Sequence, residues 1–490
     1  MQLPIEELTI SEFHSSLRSK QITSKELVEE YLFRIKNIDE NGPKLNSTIT
    51  VNDKVIQEAE MLDEFFNRKE ELIGPLHGVP IAVKDQIETA GIMTTFGSVA
   101  MDGYVPTEDA TVVSKLKDAG AIILTKTTMP DFATSWFGYS SKNGVSKNPY
   151  DLHYDPGGSS GGTGIAVAAN LAMVGVGEDT GGSVRLPASC NNLVGLKPTP
   201  GIVSRAGMSP LVIFQDSAGP MCRTVEDLAR VLDVMVGFDT KDPFTSSAVI
   251  SGKKNYIKSL EIDAFTGRRV GVLKGLLDDV QLSGFASVNA LVDRALNDIE
   301  SLGASLVDLD IPDLNYYIEL TSLYVTRSKY DINNFLATRC LPIKTVEEIY
   351  KRKQYHPSLE LFEMLANGPE HPEDESDYFQ RYLAREKFQQ VILNEMGKKG
   401  VDVIVYPTTS IPTPSREELD KGKWTTFTYP TNTLIAAQSW LPAITVPAGF
   451  VGTLPVGLEF MGTPYGEADL ISKAYAFEKV TSHRRSPPVW

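Results

Sequence analysis

The stretch PGGSSGGTGIAVAANLAMVGVGEDTGGSVRLPASCNNLVGLKPT, residues 156–199, carries more information than any other part of the chain. Ser159 and Ser183 each sit among glycines, and a run of small apolar residues separates them. Upstream, GVPIAVKD (residues 78–85) ends an apolar run at Lys84. Two hydroxyls and one amine can drive acyl transfer without histidine, because a neutral lysine serves as base for a serine nucleophile.

Other readings of the glycine-rich run are weaker. A flexible Gly/Ser linker does not fit, because the run feeds directly into the helix-forming, apolar IAVAANLAMVGVG. A phosphate loop needs a lysine after its last glycine, and Thr163 follows Gly162 here. Gly158 to Gly162 matches GxSxG, the nucleophile elbow, with Ser160 at its centre, but that motif needs a strand immediately before it. The preceding KNPYDLHYDP is polar and carries two prolines, which argues against a central strand. Only His356, His371 and His483 lie downstream, all in polar settings.

The second serine loop is the better nucleophile site. In Asp179-Thr180-Gly181-Gly182-Ser183 the serine follows two glycines, where the backbone can approach a ligand closely. The amides of Thr180, Gly181, Gly182 and Ser183 can point into one cavity, and the loss of one such oxyanion donor typically costs about 3 kcal/mol. Ser183 is then the nucleophile and Lys84 its base, relayed through Ser159. The base must be neutral, although free lysine titrates at about 10.4. Desolvation behind the apolar IAVK approach lowers that value, while a facing Asp85 carboxylate would oppose it. Arg185 is expected to orient Asp179, with substrate contact as the alternative. Cys190 reads as a small buried residue rather than a second nucleophile.

Composition bounds the setting. A chain of 490 residues with 42% hydrophobic and 22% charged residues can bury a large core. Its net charge of −16 disfavours nucleic acid and anionic membranes as partners. Three cysteines, Cys190, Cys222 and Cys340, form no disulfide framework or CxxC pair, and a reducing cytoplasm fits best. The N-terminus lacks the basic and apolar regions of a secretion signal. The low-charge stretch Gly164 to Gly177 is shorter than the roughly 20 residues a membrane span needs and is expected to form a buried core helix.

Along the chain, Thr23 and Glu26 predict a capping box, with Ile22 and Leu27 as its hydrophobic staple. Leu27, Tyr31, Ile35 and Ile38 recur at helical spacing up to Pro43, and a second helix is expected from Lys54 to Lys69. TVVSKLKDAG reads as a helix with a glycine cap. Strands are expected at Val79–Val83, Ala121–Leu124, Val270–Leu273, Val403–Tyr406, Ala443–Val446 and Gly457–Phe460. The helix-then-strand alternation predicts an α/β fold. The chain divides into a helical segment (1–70), a catalytic core (71–230), a helical and loop layer (240–416) that forms a substrate wall or a solvated cover, and a return to the sheet (417–490), all within a single domain. The N-terminal helices can pack on their own core or form the face of a homodimer.

GPLHGVPIAVKD, NPYD with GGSSGG, GEDTGGSVRLPAS, GLKPTPGIVSR, AGPMCRTVEDLA and LPAITVPAGF…LPVGLEFMG follow one another in the order of blocks in the amidase signature family, which the chain resembles from about Leu3 to Trp490. The resemblance implies a Ser–Ser–Lys triad of Ser183 (nucleophile), Ser159 (bridge, in a cis conformation) and Lys84 (base). It implies an oxyanion hole from Thr180 to Ser183 and no metal or organic cofactor. It also implies a mixed central sheet of about eleven strands with helices on both faces. The activity implied is hydrolysis of a small-molecule amide, with carbamate or urethane cleavage as an alternative on the same triad.

One family branch, the glutamine-hydrolysing A subunit of tRNA-dependent amidotransferases, carries a SEASSNLARFDG-type block. YIELTSLYVTRSKYDINNF (residues 317–335) departs from it, as FQDSA (residues 214–218) departs from the branch's SLDQI. A stand-alone amidase is therefore favoured. A non-catalytic scaffold on the same fold stays open, as does the Ser160 elbow. Met129, Trp136, Phe137, Tyr139, Phe214 and Trp440 are candidate substrate contacts, with Phe132 beside them; an aromatic wall would suit aryl or hydrophobic acyl groups.

Overall fold

The computed structural model describes residues 5–252, 255–277 and 282–488. The ends of the expected domain, and residues 253–254 and 278–281 of the expected layer, lie outside the described residues. Thirteen strands are described: β1 (Thr48–Val51), β2 (Pro80–Lys84), β3 (Ile122–Thr127), β4 (Tyr139–Ser140), β5 (Gly144–Val145), β6 (Val174–Asp179), β7 (Val194–Lys197), β8 (Ser217–Cys222), β9 (Arg269–Leu273), β10 (Ser305–Leu309), β11 (Val403–Pro407), β12 (Ala443–Val451) and β13 (Leu454–Met461). Eleven of them form one mixed sheet in the order β1-β3-β2-β6-β8-β7-β12-β13-β11-β9-β10, and β4 and β5 make a separate hairpin. Helices pack against this sheet, as the α/β expectation requires. Among the described residues no helix is long and apolar enough to cross a membrane.

At the N-terminus, the Thr23 amide donates to Glu26 Oε2 at 2.8 Å and the Glu26 amide to Thr23 Oγ1 at 3.1 Å, completing the capping box of the helix Ser24–Arg34. Phe13, Leu27 and Tyr31 are wholly buried, so the N-terminal helices pack their apolar faces on the chain's own core. The segment is not all helix: β1, built from the β-branched TITV, pairs antiparallel with β3 and forms the edge of the sheet.

The stretch Gly164 to Gly177 departs from a single core helix. The helix covers Gly161–Ala168, Asn170 turns the chain with a φ of 55°, and β6 begins at Val174. VGVG alternates at the period of a strand, and its glycines leave room for the preceding helix. A Cβ on Gly175 would stand 2.4 Å from Thr163 Cγ2, and one on Gly177 2.7 Å from Ser160 Oγ. The expected layer also contributes to the sheet, since β9, β10 and β11 continue it to the far edge.

β2 lies between β3 and β6, parallel to both. Lys84 closes β2 and Asp179 closes β6, so the two strands end on the same side of the sheet. The loop before the helix Gly161–Ala168 is pinned to that end. The Gly162 amide donates to the Thr128 carbonyl at 2.9 Å, and the Thr128 amide to the Ser47 carbonyl at 2.8 Å. A Cβ on Gly162 would meet Ser47 O and Thr128 N at 2.4 Å, both backbone atoms that cannot swing away. Gly162→Ala is therefore expected to cost about 3 kcal/mol or more of stability, measurable as a lowered midpoint in urea; an unchanged midpoint would refute the close approach.

Candidate active site

Lys84 and Ser159 meet at the end of β2, and Ser183 stands on the neighbouring loop after β6. Lys84 and Ser159 have no solvent exposure and Ser183 has 2%. Lys84 Nζ donates to Ser159 Oγ at 2.8 Å, to the Glu178 carbonyl at 3.0 Å and to Glu178 Oε2 at 3.2 Å. Burial pulls the amine below its ordinary value, against the charge of Glu178 and, more weakly, of Asp179 and Asp216. The Gly158–Ser159 peptide is cis. The Ser160 amide donates to the Ser183 carbonyl at 3.1 Å, which ties the two serine loops together.

The loop from Thr180 to Val184 is shaped by one buried ion cluster. Asp179 Oδ2 accepts from the Val184 amide at 3.1 Å and from Arg185 Nε at 3.0 Å, and Oδ1 from Arg185 Nη2 at 3.1 Å. Arg185 also donates to Glu459 and to the Thr433 carbonyl. Burial alone would raise the Asp179 carboxyl, but Arg185 holds it below its ordinary value. Arg185 thus has the orienting contact with Asp179 that was expected. Gly182 has a φ of 146°, and a Cβ there would lie 2.0 Å from Thr433 Oγ1, so only glycine fits. Among the described residues no acceptor in the chain takes the amides of Gly181, Gly182 or Ser183. Preorganised donors of this kind can stabilise an oxyanion.

Ser183 and Gly181 open onto a cavity of about 340 Å³. Of the six candidate substrate contacts, Trp136 lines it; Met129, Phe137, Tyr139, Phe214 and Trp440 do not. Met129 is in the core with Phe132, Tyr139 stacks on His356, and Phe214 and Trp440 close around Tyr382. The wall also takes Leu211, Ile318, Tyr324, Leu361, Tyr429 and Leu434, with Glu319 and Arg381 among its polar members. Tyr324 Oη accepts from Gln215 Nε2 at 2.9 Å and lies where a Cβ on Gly181 would be 2.4 Å away. A usable clue lay in the sequence, because Ile318, Tyr324 and Gln215 belong to the two blocks that depart from the amidotransferase pattern.

Ser160 does not stand on an elbow. Residues 155–160 form no strand, and its hydroxyl lies 3.3 Å from the Glu178 backbone. Cys190 is buried, and burial pushes its thiol up to about 12, which leaves it inert.

The amidase family profile matches residues 26–471. The chain belongs to the amidase family. Among curated relatives of this amidase-family chain, the A subunit of glutamyl-tRNA(Gln) amidotransferase from Pseudomonas aeruginosa is 34% identical and covers 99% of each chain. That of Carboxydothermus hydrogenoformans is also 34% identical, over 98% of this chain and 99% of the relative. The native peptide amidase of Stenotrophomonas maltophilia superposes with a TM-score of 0.89 at 32% identity, covering 99% of both chains. The glutamyl-tRNA(Gln) amidotransferase structure from Thermotoga maritima, of the corresponding polypeptide, gives a TM-score of 0.78 at 27% identity, covering 100% of this chain and 99% of that one.

Proposed function

We propose that the chain hydrolyses carboxylic amides through an acyl-enzyme on Ser183, with Lys84 as the base and Ser159 as the relay. The observation that carries this reading is the 2.8 Å contact between the buried Lys84 amine and Ser159 Oγ, next to a second serine that opens onto a cavity. Neutral Lys84 takes the Ser159 proton as Ser159 takes that of Ser183, whose oxygen attacks the amide carbonyl. The oxyanion is met by the amides of Thr180 to Ser183. Lys84, now an ammonium, returns the proton through Ser159 to the nitrogen of the leaving amine, and the C–N bond breaks. Water, deprotonated by the same relay, then attacks the ester carbonyl and frees Ser183.

The wall chemistry supports a hydrophobic acyl group. Trp136, Leu211, Tyr324, Leu361 and Leu434 face the cavity. Its arginine, Arg381, is committed to Glu375 at 3.2 Å and to the Leu320 carbonyl at 3.3 Å. Glu319 lines the same cavity, so a free amino acid such as glutamine would find a carboxylate for its ammonium but, with Arg381 engaged, no free lining cation among the described residues for its own carboxylate. The same geometry accepts a carbamate carbonyl, so carbamates belong in the test. The three unpaired cysteines suit a reducing cytoplasm.

A sulfonyl fluoride or phosphonate probe is expected to leave its adduct on Ser183, read by peptide mass spectrometry. Adduct on Ser160, or none at any concentration, would refute the assignment. On a panel of aryl, aliphatic, peptide and carbamate substrates with glutamine included, aryl or hydrophobic acyl amides are expected to exceed glutamine in kcat/KM by about 100-fold or more. Glutamine as the best substrate would overturn the pocket reading. Trp136→Ala is expected to lower kcat/KM for aryl amides by about tenfold and to leave acetamide-sized substrates nearly unchanged.

A further inference from the structure

The amine assigned as base lies against a carboxyl that the mechanism above does not use. Glu178, the penultimate residue of β6, places Oε2 3.2 Å from Lys84 Nζ, and neither side chain has any exposure. Its other oxygen, Oε1, lies 2.9 Å from Thr180 Oγ1, and the same hydroxyl stands 2.6 Å from Asp216 Oδ1. A hydroxyl has one proton and can donate to only one of the two. The other contact is a hydrogen bond only if that carboxyl is itself the acid. Asp216 fits that role: burial and the charge of Glu178 push it well above its ordinary value, whereas Glu178 faces an amine. A directional chain follows, from the Asp216 acid to Thr180 to the Glu178 carboxylate, which Lys84 meets from the other side.

The contacts of Nζ give this chain a consequence for catalysis. An ammonium has three protons, and Lys84 has three acceptors: Ser159 Oγ, the Glu178 carbonyl and Glu178 Oε2. When one proton leaves, two N–H groups stay on the two oxygens of Glu178 and the lone pair is left facing Ser159 Oγ. We propose that Glu178 is a positioning residue that aims the Lys84 lone pair at Ser159 and sets the pH at which this amine becomes a free base. The inference rests on the reading of Lys84 as base. The other acids around the amine are Asp179, held by Arg185, and Asp216 in the loop before β8. Farther out, Lys197 of β7 faces Asp179, Lys126 of β3 is paired with Asp85 at 3.4 Å, and Arg385 reaches Thr180 through Gln215. Among the acids of this set, Glu178 is the one in contact with the amine.

The test is the pH profile of kcat/KM on the best amide of the panel, for wild type, Glu178→Gln and Glu178→Asp. Turnover needs neutral Lys84, so the rate rises with pH through the amine's titration. Removing the opposite charge makes the ammonium easier to deprotonate. The acidic limb is therefore expected to move to lower pH by about one to three units in E178Q. In E178D, whose shorter side chain holds its charge farther from Nζ, it moves by less. A residue that only supports the fold would lower rates at every pH and leave the limb in place; an unmoved limb in a folded variant overturns the proposal. Should E178Q fail to fold, the shift in E178D decides. Lys84→Ala separates the two levels of inference. Turnover that survives in K84A removes the base and this role with it. An unmoved limb in E178Q, with K84A inactive, removes only the part given to Glu178.

Discussion

Ser183→Ala is expected to lower kcat by about 10⁴-fold or more on any amide the enzyme accepts, with little change in the thermal unfolding midpoint. The loss is large because no neighbouring group can take over: Ser160 Oγ lies against the Glu178 backbone, and the Cys190 thiol is buried and protonated. Lys84→Ala is expected to approach the same loss, since Ser159 then has no base to pass its proton to. Its stability should fall as well, because the buried Glu178 carboxyl loses the amine it contacts. Rates are therefore to be referred to the folded fraction seen by circular dichroism. Groups that act as one unit are not additive, so S183A combined with K84A should turn over no more slowly than S183A alone. A kcat within tenfold of wild type in either single variant contradicts the triad.

The second large effect is on stability. Arg185→Leu is expected to cost about 3–5 kcal/mol, enough to unfold many domains of ordinary stability. The arginine has no exposure and answers two buried carboxylates, Asp179 and Glu459. Its loss strands both, and the Val184 turn relaxes with them. The pH dependence has a definite sign. In wild type, Arg185 depresses the Asp179 carboxyl, which contributes stability above the unfolded value of about 3.9 and loses it as pH falls. In the variant, the stranded carboxyls titrate above their unfolded values, so the folded state binds more protons and gains stability as pH falls. The deficit of R185L relative to wild type is therefore largest at alkaline pH and shrinks on acidification. Urea melts at several pH values check this; a deficit that grows on acidification would show that the cluster is not held as described.

The side chains proposed to react were legible because their chemistry is local. Glycines beside a serine, and a lysine at the end of an apolar run, are patterns that span a few residues each. Ordered blocks along the whole chain then pointed to the family and to the size of its sheet. What stayed hidden is set by long-range packing. β8, SAGPMC, holds a glycine and a proline, poor strand formers, and it is a strand because β6 and β7 pair with it on both sides. The cavity wall draws on Leu211, Tyr324, Leu361 and Leu434, and no periodicity links such distant positions. The aromatics near the first serine motif were the nearest in sequence, but all of them except Trp136 pack elsewhere. Glu178 sat one residue from the quoted Asp179, and only the parallel pairing of β2 with β6 shows that it meets Lys84.

That pairing separates two tasks within the chain. The proposed proton transfer and bond cleavage draw on the ends of β2 and β6, the turn after β6 and the loop ahead of the helix Gly161–Ala168, within residues 84–183. Much of the wall that meets the acyl group comes from positions 318–434, and one of its members, Tyr324, also braces the Gly181 loop and holds Gln215. Transplanting residues 317–335 from a relative of different taste, with Tyr324 kept in place, should redirect selectivity while the reactive apparatus carries on unaltered, which is how one reaction can spread across many substrates by rewriting a single stretch.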